Sequence, residues 1–75
     1  MNEKKVVFNN VEDVAEFVDA AEKCEFDVDL ISGSQYVDAK SLLGVMSMGF
    51  DRVLRVQYRE GDSRFGRAVQ KFCVA

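Results

Sequence analysis

The chain contains no histidine. That removes the side chain most often used as a general acid or base near neutral pH, and with it any phosphohistidine chemistry. Proline is absent too, and no repeat, low-complexity stretch or linker divides the chain, so residues 1–75 read as one domain. Cysteine is scarce: Cys24 and Cys73 stand far apart, each at the end of a helical pattern. Two thiols without a histidine are too few for a metal centre, and in a reducing compartment they read as small buried or half-buried side chains. No apolar run approaches the roughly 18 residues that a membrane span requires. The charged stretch at residues 1–5 is not followed by the apolar core of a signal peptide. A cytoplasmic protein without membrane contact is the expectation. Positive charge is also in short supply, since 10 Lys and Arg against 13 Asp and Glu leave a net charge of −3. Nucleic acid calls for a basic patch on a basic domain and is not an expected partner.

The apolar fraction, 48%, suffices for one core, and the 31% of charged residues suits a soluble surface. A domain of this size buries only about 60% of its unfolded surface, so its packing has to be good. Residues 4–8 form a short apolar strand, ended by Asn9 and Asn10. Asn10 is a helix N-cap, after which Val11, Val14, Phe17, Val18 and Ala21 recur at helical spacing while Glu12, Asp13, Glu16 and Asp19 lie opposite. Residues 25–32 alternate, with Phe26, Val28 and Leu30 on one side and Glu25, Asp27 and Asp29 on the other, as in a half-buried strand. A turn at 32–34 leads to a return strand over 35–38. A short helix follows over 40–48, stopped by Gly49 in the position of a left-handed C-cap. A strand over 52–60 puts Leu54, Val56 and Tyr58 inward and Arg55, Gln57 and Arg59 outward. Asp62 or Ser63 then caps a last helix with the stripe Phe65, Ala68, Val69 and Phe72, in which Gly66 weakens the first turn by about 1 kcal/mol. One-sided strands with interspersed helices predict an α+β fold, an antiparallel sheet covered on one face. Opposite charges on the second and fourth strands (Asp27 and Asp29, Arg55 and Arg59) suggest that these two are neighbours.

Few groups could do chemistry. Ser41 has no candidate base. Glu12 and Asp13 diverge by about 100° on a helix, poor geometry for shared proton transfer. No glycine-rich phosphate loop or metal constellation is present, and no cofactor is expected. Arg64, Arg67 and Lys71 on the last helix read as a solubilising face. The second helix is too apolar for one buried stripe: Val45 and Met48 fall on one side, Leu42, Leu43 and Met46 on a second arc. That arc is either further core or a partner-binding patch, for which methionine is well suited.

The run V-D-A-K-S-L-L-G-V-M-S-M-G over residues 37–49 resembles the serine-site motif of the HPr proteins, phosphocarriers of the bacterial sugar phosphotransferase system, which in Gram-positive members reads V-x-x-K-S-[IL]-[ML]-G-V-M-S-L-G. The order of elements agrees along the whole chain. The resemblance implies an HPr-like open-faced βαββαβα sandwich, with a four-stranded antiparallel sheet of order 1-4-2-3 and three helices on one face. The second family motif, G-L-H-[AT]-R-P-A at the start of the first helix, is missing. The stretch F-N-N-V-E-D-V-A over residues 8–15 stands in its place, with Asn10 where the histidine belongs and Glu12 where the arginine belongs. The loop before the helix is also shorter. Asparagine forms no transferable phosphoryl intermediate, and Glu12 replaces a phosphate-binding cation by an anion.

By the same resemblance, Ser41 corresponds to the serine that HPr kinase/phosphorylase modifies, at a helix start whose N–H groups and dipole favour an added dianion; its plain role is that of a helix cap. Leu42, Leu43 and Met46 match the family's partner-binding patch, for which HPr kinase/phosphorylase or a transcriptional regulator is the candidate partner. The acidic first helix departs from the basic helix that phosphocarriers present to acidic partners, so docking on enzyme I is expected to be lost. The expected protein is a non-catalytic regulatory or interaction module without metal or cofactor. The alternatives are a phosphocarrier, for instance one using Asp13 as acceptor, and an orphan structural domain.

Overall fold

The computed structural model describes residues 2–59 and 63–74. The elements run β1 (Asn2–Val6), α1 (Val11–Glu22), β2 (Val28–Ser32), β3 (Gln35–Asp38), α2 (Leu42–Met46), β4 (Leu54–Tyr58) and α3 (Ser63–Val69), with a 3-10 turn over Gln70–Phe72. The strands form one antiparallel sheet of order β1-β4-β2-β3. This is the α+β open-faced sandwich expected. Its core joins Val6, Val28, Leu30, Leu54, Val56 and Tyr58 from the sheet to Val14, Phe17, Val18 and Ala21 of α1, Val45 of α2 and Phe65 and Val69 of α3.

The helices form for local reasons. Asn10 caps α1: its Oδ1 accepts from the Asp13 amide at 2.8 Å, and Glu12 and Asp13 lie in the first turn, where the helix dipole favours carboxylates. Gly49 turns the chain at φ 88° just after α2. The aromatic side chains weld the layers together. Phe8 lies 5.0 Å from Phe17 and 5.4 Å from Phe72 between ring centroids, and Tyr58 lies 4.9 Å from Phe65 edge to face.

Several expectations need correction. The first strand lies at Asn2–Val6 rather than 4–8, because residues 7 and 8 bond elsewhere: the Val7 amide donates to the Phe72 carbonyl and the Phe8 carbonyl accepts from the Asp51 amide. β2 begins at Val28, since its ladder to β4 starts with Val28 opposite Tyr58; the alternation from residue 25 lies outside it. β4 is likewise shorter than 52–60, as Arg52 is drawn away to the Met48 carbonyl and the Ser32 hydroxyl. α2 covers only Leu42–Met46, because Lys40 belongs to the preceding turn, its amide donating to the Asp38 carboxylate. The expected strand end at Glu60 and cap at Asp62 lie outside the described residues. Ala68 is exposed rather than buried, so the inward stripe of the last helix is Phe65, Val69 and Phe72. β2 and β4 are neighbours, but their charges do not meet as foreseen. Asp29 stands opposite Gln57 and Ile31 opposite Arg55, while Arg55 makes its ion pair with Glu3 of β1 at 3.6 Å. Asp27 and Arg59 lie beyond the paired residues.

Candidate functional site

Two neighbouring features hold the residues singled out by sequence: the N-terminal turn of α1, and α2 with the loop after it.

At the first, Asn10 is not available as a reactive group, since its side-chain oxygen is the helix cap. Asp13 reaches back, and its Oδ2 accepts from the Asn9 amide at 3.0 Å. The Asn9 side chain donates to Asp51 at 2.8 Å, and the Asp51 amide donates to the Phe8 carbonyl at 2.8 Å. Asp51 holds φ 57°, a left-handed conformation that aspartate tolerates better than most residues. Glu12 is exposed beside them. The turn bonds back on itself at two points, the Asp13 amide to Asn10 and the Asn9 amide to Asp13, and carboxylates occupy its surroundings. Such a turn is poorly suited to receiving a phosphoryl dianion, which needs unsatisfied donors and positive charge. Asn9 and Asp51 escaped notice in the sequence. Their bond spans 42 positions, and the only local signal was an aspartate two places after a turn glycine.

At the second, Ser41 is exposed and caps α2, its Oγ accepting from the Gly44 amide at 3.2 Å. A side chain at position 44 would put Cβ 3.2 Å from that oxygen, so glycine leaves the hydroxyl its space. α2 has only five residues, so the dipole foreseen to favour a phosphate there is small. Lys40, next to Ser41, reaches the other way, its Nζ donating to the Cys24 carbonyl at the end of α1 at 2.9 Å.

The apolar residues of α2 divide. Val45 and Met48 are buried, and Met46 is half-buried against the core. Leu43 is 81% and Leu42 45% exposed. Phe50, in the loop, and Val11, in the first turn of α1, are also exposed, and the Phe8–Asp51 bond holds these two segments together. Sequence reasoning missed Phe50 and Val11 as surface residues, Val11 because its helical spacing placed it with the core.

Cys24 is buried and Cys73 half-buried, both unbridged. Among the described residues no group of three His, Cys, Asp or Glu could hold a metal ion, and no helix is long and apolar enough to cross a membrane.

Fold and motif together define the class. The sandwich of sheet order 1-4-2-3 with a capping serine at the start of its second helix is that of HPr. The family model for the PTS HPr component phosphorylation site matches residues 11–61, and the chain belongs to that family. HPr-C-His of Thermoanaerobacter tengcongensis is similar in structure at a TM-score of 0.75 and 26% identity, over 95% of this chain and 89% of that one. A phosphocarrier protein HPr of Bacillus anthracis str. Ames matches at 0.73 and 20% identity, over 95% of each chain. The histidine-containing phosphocarrier protein of a mycoplasma matches at 0.68 and 16% identity, over 92% of this chain and 84% of that one. No curated protein matches by sequence. HPr proteins are phosphocarriers rather than catalysts, and they work through protein partners of the phosphotransferase system.

Proposed function

We propose that this chain is a non-catalytic HPr-like regulatory or interaction module that binds a protein partner through the exposed side of α2 and does not carry phosphate. The observation that supports this most is the turn at Asn10, whose Asn9 and Asp13 amides are held by Asp13 and Asn10 with Glu12 and Asp51 alongside, in a chain without histidine. Incubation with phosphoenolpyruvate and enzyme I is the test. No label is expected; acid-stable or hydroxylamine-labile label on the protein would overturn the reading.

Leu42, Leu43 and Met46 supply the contact, with Leu43 as its most exposed member. Leu43→Asp is expected to abolish capture of the partner while leaving the fold intact, since the side chain contributes little to the core. Ser41 is the candidate regulatory site: it is exposed, and phosphorylation there would place a dianion beside Leu42 and Leu43. Mass spectrometry after incubation with HPr kinase/phosphorylase is expected to find phosphoserine at position 41, and finding none would remove this control.

A second reading, that of an ordinary phosphocarrier, draws on the family match over residues 11–61 and on the names of the structural neighbours. It requires a different acceptor, and Asp13 is the candidate. The same labelling experiment separates the two, since an aspartyl phosphate is hydroxylamine-labile.

A further inference from the structure

β3 is an outer strand of the sheet, and its free side offers backbone bonds that the chain does not use. The Ala39 amide donates to the Val28 carbonyl at 2.9 Å, which sets the phase of the β2–β3 ladder. Bonded and unbonded rungs alternate in an antiparallel pair. Gln35 and Val37 therefore bond to Ser32 and Leu30, while the backbone groups of Tyr36 and Asp38 point away from β2. The Asp38 carbonyl turns to the Ser41 amide. The Tyr36 amide and carbonyl and the Asp38 amide remain for another strand. The usual guards of an edge are missing, since Gln35–Asp38 has no proline, no lysine and no bulge in its register. On the open face Tyr36 is 64% exposed and lies opposite Ile31, which is buried yet stands apart from the main core. Asp29 and Asp38 face each other on an unbonded rung, the kind in which side chains stand closest. Like charges so placed repel. No ion pair joins either to a cation among the described residues, and Lys40 is turned to the Cys24 carbonyl.

We propose that β3 accepts, in antiparallel pairing, an extended basic segment of a protein partner, with a lysine or arginine opposite Asp38 and a β-branched residue, two places later, opposite Tyr36. The Tyr36 rung exchanges both of its bonds with that segment, and the Asp38 amide gives a third. These main-chain bonds supply attachment, and the side chains on alternate positions supply choice. The cation relieves the Asp29–Asp38 repulsion, and the β-branched residue covers the Tyr36 ring, a favourable cross-strand pair. Charge decides against a second copy of this chain as the occupant, because β3 carries no cation to bring to the two aspartates. The edge shares no residue with Leu42, Leu43 and Met46, so the inference stands apart from the reading of α2.

The peptide acetyl-TKTVT-amide is the probe. In a titration of the intact chain followed by amide NMR, saturable shifts and slowed hydrogen exchange are expected at the Tyr36 and Asp38 amides, with Glu16 and Ala20 of α1 unmoved. The same peptide with glutamate in place of its lysine should bind about tenfold more weakly, a factor that corresponds to about 1.4 kcal/mol. Methylation of the peptide's valine nitrogen removes the donor to the Tyr36 carbonyl and should abolish saturable binding. Asp29→Asn, at an exposed position, should weaken the lysine peptide about threefold, as loss of one exposed charge pair allows. The proposal is overturned by absence of saturable shifts at Tyr36 and Asp38, by equal binding of the lysine and glutamate peptides, by undiminished binding of the methylated peptide or by unchanged affinity in Asp29→Asn. Shifts of the Tyr36 and Asp38 amides on concentrating the chain without peptide would also overturn it, since the occupant would then be a second copy.

Discussion

Ser41 and Gly44 act as a pair. The hydroxyl accepts from the Gly44 amide, so Ser41→Ala should cost about 1 kcal/mol, read as a lower midpoint in thermal denaturation. Gly44→Ala would ordinarily add a similar amount of stability inside a helix. Here the new Cβ would sit 3.2 Å from the Ser41 oxygen, which offsets the gain. Gly44→Ala is therefore expected to be stabilising in the Ser41→Ala background and to give little in the wild type; equal effects in both backgrounds would refute the coupling. Tyr58 governs a different condition. Burial, with a smaller contribution from the nearby Cys73 thiolate, pushes its phenol above the ordinary 10.0. The folded state keeps its proton where the unfolded chain has released it. This contribution to stability is thus full below about pH 10 and is lost as pH rises through the folded value. Tyr58→Phe should flatten the alkaline side of the stability curve, measured by denaturant unfolding at a series of pH values.

At the scale of elements, the turn that starts α1 is the decisive one. If, as proposed, the way this turn is bonded keeps a phosphoryl group away, restoring the imidazole alone will not suffice. Asn10→His should still take no label from phosphoenolpyruvate and enzyme I, because Glu12, Asp13 and Asp51 remain around it; efficient labelling of that variant would show that the missing ring was the sole defect. The elements differ in how far sequence revealed them. α1 was readable to its cap because Asn10 and the apolar spacing are local signals, and β3 was readable because the turn beside it is short. The start of β2 was not, since the alternation through Glu25, Phe26 and Asp27 continues past the point where β4 can pair with it. The site was legible in its parts. Ser41, Asn10 and Glu12 could be picked out one by one, but the Asn9–Asp51 bond could not, because it depends on the whole fold bringing two loops together. Spacing also separated Val45 and Met48 from Leu43 on α2, whereas the half-burial of Met46 depends on what packs above it.

For the molecule as a whole, stability rests on a single aromatic cluster. Phe17 of α1 has Phe8, Phe65 and Phe72 as ring neighbours at 5.0, 6.2 and 6.4 Å. Phe17→Ala removes a member that, like Phe65, links three ring partners, and should cost about 3–5 kcal/mol. That is a large part of the roughly 5–15 kcal/mol that holds a native domain folded, so the variant is expected to melt tens of degrees lower, read from the far-UV signal on heating.

The residues after the 3-10 turn run beside β1: Val6 bridges to Cys73, and the Val74 amide donates to the Lys5 carbonyl at 3.0 Å. They act as a zipper stop. With them seated, the Lys5–Val6 end of the outer edge of β1 is shut to a stranger's backbone, while the four residues of β3 at the opposite edge stay open to such recruitment. Val74→Pro deletes the donor to Lys5 without touching the core. Its consequence would be felt between molecules rather than within one: concentration-dependent self-association in sedimentation, from a chain that is otherwise folded.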